Sequence, residues 1–170
     1  MKKRSDLAAR MDALVDNGRD ARLESHELGS NLRMSEVTAA IGRVQLQRLE
    51  GWLERRRAIA SRYHEAFANL PGASTPKVRE DTEHAWHQYC LLVDEPDSFR
   101  EVLDKKEIDS RVYYGQPCHR QGGYSEHPQH NEAFEVTDDI ASRLVAIPIH
   151  HQLTDHEVDR IIAAVIATHS

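Results

Sequence analysis

The strongest constraint on the fold is an apolar repeat that begins near Ser35 and continues to Leu70. Its hydrophobic residues recur three and four positions apart, which is the spacing of one face of an α-helix. They are Val37, Ile41, Val44, Leu46, Leu49, Leu53, Ala60, Tyr63, Phe67 and Leu70. Pro71 and Gly72 end the pattern. Such a helix would be about 50 Å long, well beyond the usual three or four turns. This length predicts a bridge between two bodies, with the charged run 54–57 on the solvent face.

Charge and composition exclude two broad classes of protein. The chain has 170 residues and a formal net charge of −6, whereas a nucleic-acid-binding domain needs a clustered basic surface. No apolar run approaches the roughly 20 residues that cross a bilayer, and the basic start 2–4 is followed by Asp6 rather than by a signal-peptide core. Cys90 and Cys118 lack the spacing of a zinc site or a disulfide framework. We therefore expect a cytoplasmic protein with no nucleic-acid or membrane partner.

Shorter elements on either side of the long helix complete the predicted fold. A first helix is predicted over residues 5–16, behind Ser5 as its cap. Aliphatic and aromatic runs predict three strands, at 86–93, 108–114 and 144–149. Further helices are predicted at 97–106 and after Thr154, where Glu157 completes a capping box. This alternation indicates an α/β fold in which a small sheet is packed with helices.

Four sequence blocks, taken in order, resemble one protein family. Gly-Ser-Asn-Leu-Arg-Met at 29–34 precedes the long helix, and His-Ala-Trp-His-Gln-Tyr follows at 84–89. The third block is Tyr-Tyr-Gly-Gln-Pro-Cys-His at 113–119, and the fourth is Ala-Ile-Pro-Ile-His-His-Gln-Leu-Thr-Asp at 146–155. Together they resemble the C-terminal portion of the DegT/DnrJ/EryC1/StrS family of pyridoxal-phosphate sugar aminotransferases. The resemblance implies the small C-terminal α/β domain of a fold-type-I transferase together with a long interdomain helix.

The resemblance implies an activity and also an incomplete site. Members of the family move an amino group from an amino acid, most commonly glutamate, to a nucleotide-linked ketosugar, with pyridoxal 5′-phosphate as the electron sink. Their Schiff-base lysine lies in a Ser-Phe-x-x-x-Lys segment before a Gly-Glu-Gly-Gly strand, and this chain contains neither segment. Its five lysines have no such context; they are Lys2, Lys3, Lys77, Lys105 and Lys106. We therefore expect no catalytic residue in this chain, which alone would be inactive, and a homodimeric intact enzyme.

Four residues take binding roles from the resemblance. Asn31 is implied as the residue that binds the cofactor phosphate of the other subunit, and its short amide can donate to an anion. Arg33 is implied as a substrate-binding residue whose planar guanidinium suits a phosphate or a carboxylate. Tyr114 and His119 lie in the loop that lines the sugar-nucleotide side of the pocket in relatives, and are implied to bind substrate. Without the resemblance, Asn31 is equally well explained as a turn residue and Arg33 as a surface charge.

Two further interpretations concern organisation and metals. The resemblance divides the chain into a remnant of the cofactor domain at 1–33, a connecting helix at 34–70 and a small α/β domain at 71–170. The alternative is a non-catalytic interaction or regulatory module that pairs with a separate catalytic chain, since the family includes catalytically dead relatives. The chain has 11 histidines, but no spacing typical of a zinc site, so no metal is expected. His87 is expected to be a packing residue within its apolar strand.

Overall fold

The computed structural model describes residues 5–169, which fall into two compact units that meet in sequence between Arg48 and Leu49. The expectations that concern the basic start, including Lys2 and Lys3, lie outside the described residues. Within them, every helix is too short or too polar to cross a lipid bilayer.

The first unit contains helix α1 (Ser5–Val15), a loop, and the beginning of helix α2 (Glu36–Phe67). Ser35 precedes α2, and its hydroxyl accepts a hydrogen bond from Thr38 N at 3.2 Å, as an N-cap residue does. At 32 residues, α2 confirms the long helix that the apolar repeat predicts. Its side chains from Glu36 to Gly51 are exposed apart from the half-buried Ala39.

The second unit is built on a three-stranded antiparallel sheet in the order β1 (Ala73–Ser74), β2 (Tyr89–Val93) and β3 (Leu144–Ile147). Alternate residues of β2 are buried, and its partner residues in β3 are buried with them because paired residues share a face. The end of α2 packs on this face, where the rings of Tyr63 and Tyr89 meet edge to face at 5.1 Å.

Three shorter helices complete the second unit: α3 (Pro96–Lys105), α4 (Glu135–Arg143) and α5 (Asp155–Ile166). Helices α3 and α5 bury apolar side chains in the same core as α2 and the sheet; they are Phe99, Leu103, Val158, Ile161, Ala164 and Val165. Single 3-10 turns lie at Cys118–Arg120, Gly122–Tyr124 and Ala167–His169. The predicted α/β fold, a small sheet packed with helices, is confirmed.

Two of the strand predictions need correction. The predicted strand at 108–114 is wrong, because only Arg111 pairs with β3, opposite Ala146. In that antiparallel register the next pair would place Asp109 opposite Pro148, which has no N–H to extend the ladder. The strand predicted from residue 86 begins only at Tyr89, since Trp86 has a φ of 48°, which is incompatible with a strand.

The prediction that the run 54–57 lies on the solvent face is wrong for its three arginines. Four consecutive residues span more than one helical turn, so they cannot share one face. Glu54 is exposed, whereas Arg55, Arg56 and Arg57 are half-buried. Arg55 Nη2 donates to Leu153 O at 2.6 Å, and Arg56 binds the backbone of two separate segments. Arg55 and Arg56 thus attach α2 to the loops around the sheet.

The capping box at the start of α5 offers a direct test of the fold. Thr154 Oγ1 accepts from Glu157 N at 3.3 Å, and Glu157 Oε2 accepts from Thr154 N at 2.8 Å. Thr154→Ala should lower the free energy of unfolding of the second unit by about 1 kcal/mol, measured by urea denaturation. Thr137→Ala at an exposed position of α4 is the control; the higher helix propensity of alanine should raise the free energy of unfolding by no more than about 0.7 kcal/mol. Equal effects of the two substitutions would contradict the capping role.

Candidate functional site

Asn31 lies in a segment that is fixed against the end of α1. Ser30 N donates to Leu14 O at 2.9 Å, and Leu32 N donates to Val15 O at 3.0 Å. Asn17 N donates to Ser30 O at 3.2 Å, and an isolated antiparallel bridge joins Asp16 to Asn31. The backbone around Asn31 is therefore held on both sides by hydrogen bonds rather than left as an open loop.

Two glycines allow this close approach of the backbone. Gly18 has a φ of 72°, and a Cβ atom there would lie 2.7 Å from the carbonyl carbon of Glu27. A Cβ atom at Gly29 would lie 2.7 Å from Leu14 O and would meet the backbone of Gly18 more closely still. No larger residue fits either position without moving backbone atoms. The glycine two residues before Asn31 is thus a steric requirement of the loop.

The side chains of Asn31 and Arg33 are brought together. Arg33 Nε donates to Asn31 Oδ1 at 3.2 Å, and Arg33 Nη1 lies 3.6 Å from the Asp16 carboxylate. Both side chains are exposed. Because the Asn31 oxygen accepts from Arg33, the groups that its side chain can offer to a further partner are its amide N–H donors. The pair presents hydrogen-bond donors and a positive charge, which fits a phosphate group in its donor chemistry.

Tyr114 and His119, the other two predicted site residues, lie in one segment of the second unit. The segment begins at Arg111, which exchanges two backbone hydrogen bonds with Ala146, at 3.0 and 2.7 Å. A cis peptide joins Tyr113 to Tyr114, and their rings meet at 5.8 Å. Tyr114 is 74% exposed, so its hydroxyl and ring face are available to a ligand.

His119 and its neighbour Arg120 both face one carboxylate, that of Asp138 on α4. Arg120 donates to Asp138 twice, from Nε at 2.8 Å and from Nη2 at 2.6 Å, which is a bidentate pair. His119 Nε2 lies 3.3 Å from Asp138 Oδ1, though not in hydrogen-bond alignment, and the ring packs edge-on against Phe134 at 4.7 Å. His119 is mostly buried by these contacts, with 12% of its side chain exposed.

The Arg120 hydrogen bonds lower the pKa of Asp138 from its usual 3.8 to about 2. Because the folded-state pKa is depressed, the pair contributes stability above the unfolded value, near pH 4, and loses it as the pH falls through about 2. The Asp138 carboxylate is therefore charged at every neutral or mildly acidic pH.

A cavity of about 450 Å³ lies beside this segment, next to the start of β2 and the end of β3. Its volume is in the range of small-molecule sites. The polar side chains among its lining residues are His87, Gln88, Glu107, Asp109, Ser110, Arg111, Tyr113, His150, Glu157 and Arg160. The expectation that His87 packs inside a strand is wrong, since His87 precedes β2 and is exposed. Neither Tyr114 nor His119 lines the cavity.

One group within the described residues brings potential metal ligands together, and it lies in the first unit. Atoms of Asp20, Glu24 and His26 fall within 4.8 Å of one another. His26 hydrogen-bonds the Asp20 carboxylate at 3.0 Å and lowers the pKa of Asp20. Asp20 Oδ1 accepts from Arg22 N and Glu24 N, so this carboxylate closes a turn. All three residues are exposed.

Sequence reasoning missed two residues of these constellations. Asp138 was missed because no helix was predicted at 135–143; the available signal was the acidic first turn with Glu135 and a terminal Arg143, which suits the helix dipole. Arg56 was missed because its partners are backbone carbonyls 30 or more residues away in sequence. No local pattern reports such partners.

Comparison with known proteins places these observations in a family. The model of the DegT/DnrJ/EryC1/StrS aminotransferase family matches residues 2–166. The chain is 34% identical over 161 residues to a dTDP-3-amino-3,6-dideoxy-alpha-D-galactopyranose transaminase of Aneurinibacillus thermoaerophilus. The match covers 95% of this chain and 44% of that relative. It is 34% identical over 145 residues to the spore coat polysaccharide biosynthesis protein SpsC of Bacillus subtilis, with 81% and 37% of the two chains covered.

Solved structures agree with the sequence comparison. The crystal structure of DesV from S. venezuelae in complex with a ketimine intermediate matches with a TM-score of 0.90 at 29% identity, covering 95% of this chain and 44% of that one. A DegT/DnrJ/EryC1/StrS aminotransferase from Brucella abortus matches with a TM-score of 0.89 at 27% identity, covering 98% and 44%. The chain spans less than half the length of these relatives. The chain belongs to the DegT/DnrJ/EryC1/StrS aminotransferase family.

Proposed function

We propose that this chain forms the C-terminal part of a pyridoxal 5′-phosphate-dependent aminotransferase that moves an amino group from an amino acid, glutamate in the first instance, to a nucleotide-linked ketosugar. The observation that carries the proposal is the glycine-built loop of the first unit, which presents the Asn31 amide and the Arg33 guanidinium side by side. Family membership supports the reaction class. Relatives named as transaminases of dTDP-linked amino sugars support the substrate class.

In this proposal each of the four residues has a binding role. Asn31 donates its amide N–H to the cofactor phosphate of the other subunit, and Arg33 binds a substrate phosphate or carboxylate through the donors that Asn31 and Asp16 leave open. Tyr114 and His119 form part of the side of the pocket that binds the sugar nucleotide. The cofactor, when bound, supplies the electron sink for the reaction. Orientation and charge compensation are the contributions of this chain.

The proposal also assigns the organisation of the chain. Residues 1–33 belong to the cofactor-binding domain, residues 34–70 to the connecting helix and residues 71–170 to the small domain. The Schiff-base lysine is supplied from outside this chain, whose lysines lack the family context. The intact enzyme is a cytoplasmic homodimer in which the loop carrying Asn31 serves the neighbouring subunit.

A chimera tests the function. In the Aneurinibacillus relative, the 161 matched residues are replaced by this chain. The chimera should transfer the amino group from dTDP-3-amino-3,6-dideoxy-α-D-galactopyranose to 2-oxoglutarate, and the glutamate formed is measured. The isolated 170-residue chain should form no glutamate. An inactive but folded chimera would contradict the proposal and favour the non-catalytic module.

Asn31→Ala in the chimera tests the cofactor role separately from turnover. Loss of one hydrogen bond to a charged group should weaken pyridoxal phosphate binding by about 10- to 100-fold, measured by spectroscopic titration. Gln47→Ala, which also removes an exposed amide side chain, is the matched control and should leave the affinity unchanged. Parallel losses in the two variants would show that Asn31 has no specific role.

A further inference from the structure

The segment that carries Tyr114 and His119 is attached to the fold at its start and near its end, where Asn131 N also donates to His119 O at 3.0 Å. At its start, Arg111 exchanges backbone hydrogen bonds with Ala146 of β3. At its end, Arg120 forms the bidentate pair with Asp138 of α4. The intervening residues 112–117 make no backbone pairing with a strand, and Tyr114 is exposed between the two points.

The partners of Arg111 and Arg120 belong to one continuous piece of chain. Helix α4 ends at Arg143 and β3 begins at Leu144, with no connecting loop. Ala146 lies within the β2–β3 ladder, where it pairs with Cys90. The position of Asp138 is therefore fixed relative to the core, and the anchors on α4 and β3 keep a fixed distance from each other.

We propose that Asp138 is a positioning residue that fixes the segment 112–120, and with it Tyr114 and His119, by holding Arg120 and facing His119 from α4. The substrate-binding role of this segment rests on the proposed function, whereas its attachment by Asp138 does not. Asp138 binds no substrate in this proposal and acts only through the two residues that it contacts.

Asp138 and the residue that precedes α4 make specific contacts with this end of the segment. The two oxygens of Asp138 match the planar fork of Arg120, a geometry that a lysine would not reproduce. Its Oδ1 atom also lies nearest to His119, so one carboxylate faces two consecutive residues. Phe134, which immediately precedes the same helix as its N-cap residue, packs edge-on against the His119 ring. The depressed pKa of Asp138 keeps the anchor charged at neutral pH.

The experiment compares Asp138→Asn with Asp139→Asn in the full chain. Asp139 is the next residue of α4 and pairs with Arg143 at 3.5 Å, so it is a matched control. Amide hydrogen exchange of the peptide 112–121 should become about tenfold faster in Asp138→Asn, while peptides from β2 and α5 keep their parental rates. Asp139→Asn should leave all of these rates unchanged.

Two further measurements separate positioning from general stability. Arg120→Met, which removes both donors, should accelerate exchange of 112–121 at least as much as Asp138→Asn, which leaves one acceptor oxygen. The double variant should be no faster than Arg120→Met, because both changes act on the same pair. The His119 Nε2 resonance in ¹⁵N–¹H spectra should shift in Asp138→Asn and not in Asp139→Asn.

Specific results would overturn the proposal. An unchanged exchange rate for 112–121, or an equal acceleration of 112–121 and the core peptides, would show that Asp138 does not position the segment. An unshifted His119 resonance would show that Asp138 does not position His119. None of these readouts needs a cofactor or a substrate, so an inactive chimera would contradict the proposed function and leave this result intact.

Discussion

Arg56→Met should lower the free energy of unfolding of the second unit by about 3 kcal/mol. The substitution removes hydrogen bonds from a charged group and leaves the carbonyls that accepted them unpaired. Arg56 Nη1 donates to Trp86 O at 2.7 Å, to Ile149 O at 2.9 Å and, more weakly, to His87 O at 3.3 Å. Methionine keeps the apolar stem but has no donor. The substitution leaves these carbonyls without a protein donor.

Arg57→Met is the control for this experiment. Arg57 is also half-buried on α2, but its partners are the exposed carboxylates of Glu50 and Glu83, at 3.0 and 3.4 Å. Such surface pairs contribute at most about 1 kcal/mol. Urea unfolding followed by tryptophan fluorescence measures both variants, since Trp86 reports on the affected loop. If the two variants lose the same stability, the backbone contacts of Arg56 have no special weight.

The second large effect is expected at Gly29. Gly29→Ala should cost the loop of the first unit about 3 kcal/mol or more, because the added methyl group meets backbone atoms that cannot rotate away. The closest of these belong to Gly18, Asn17 and Leu14. Relief requires that segment 29–32 separate from α1, which breaks the hydrogen bonds that fix Asn31.

Gly42→Ala is the matched control for Gly29→Ala. Gly42 lies within α2, and a Cβ atom there meets nothing within 4 Å. The same chemical change should therefore stabilise the chain by up to about 1 kcal/mol through helix propensity. Amide exchange at residues 14–18 and 29–32 reports the loop, and it should rise only in Gly29→Ala. In the chimera, Gly29→Ala should weaken cofactor binding as Asn31→Ala does. Unchanged loop exchange would contradict the steric argument.

Elements with strong local signals were predictable from the sequence. The apolar repeat of α2 and the capping box of α5 each depend on residues within a few turns of one another, so their prediction needs no tertiary information. The strand at 108–114 failed for the opposite reason. Its residues suit a strand, but the edge that it would join carries Pro148, which is distant in sequence.

The candidate site divides in the same way. Asn31 and Arg33 are two residues apart and share one loop, and their contact follows from short-range geometry. The partners of Arg56 and Arg120 are set by the packing of separate elements, which hydrophobic periodicity does not encode. The family resemblance supplied the four candidate residues, whereas the structure supplied the groups that hold two of those residues in place.

The stretch between the 3-10 turn at Cys118–Arg120 and helix α4 follows segment 112–120 in the chain and contains neither Arg111 nor Arg120, through which that segment is anchored. Residues 122–129 are all exposed. A gene that gains or loses codons within 122–129 would change the exposed surface while Arg111, Arg120 and Asp138 keep their partners. Asn131 and Phe134, which contact His119, lie beyond these residues. Evolution can thus vary 122–129 in length and composition without altering the geometry of segment 112–120.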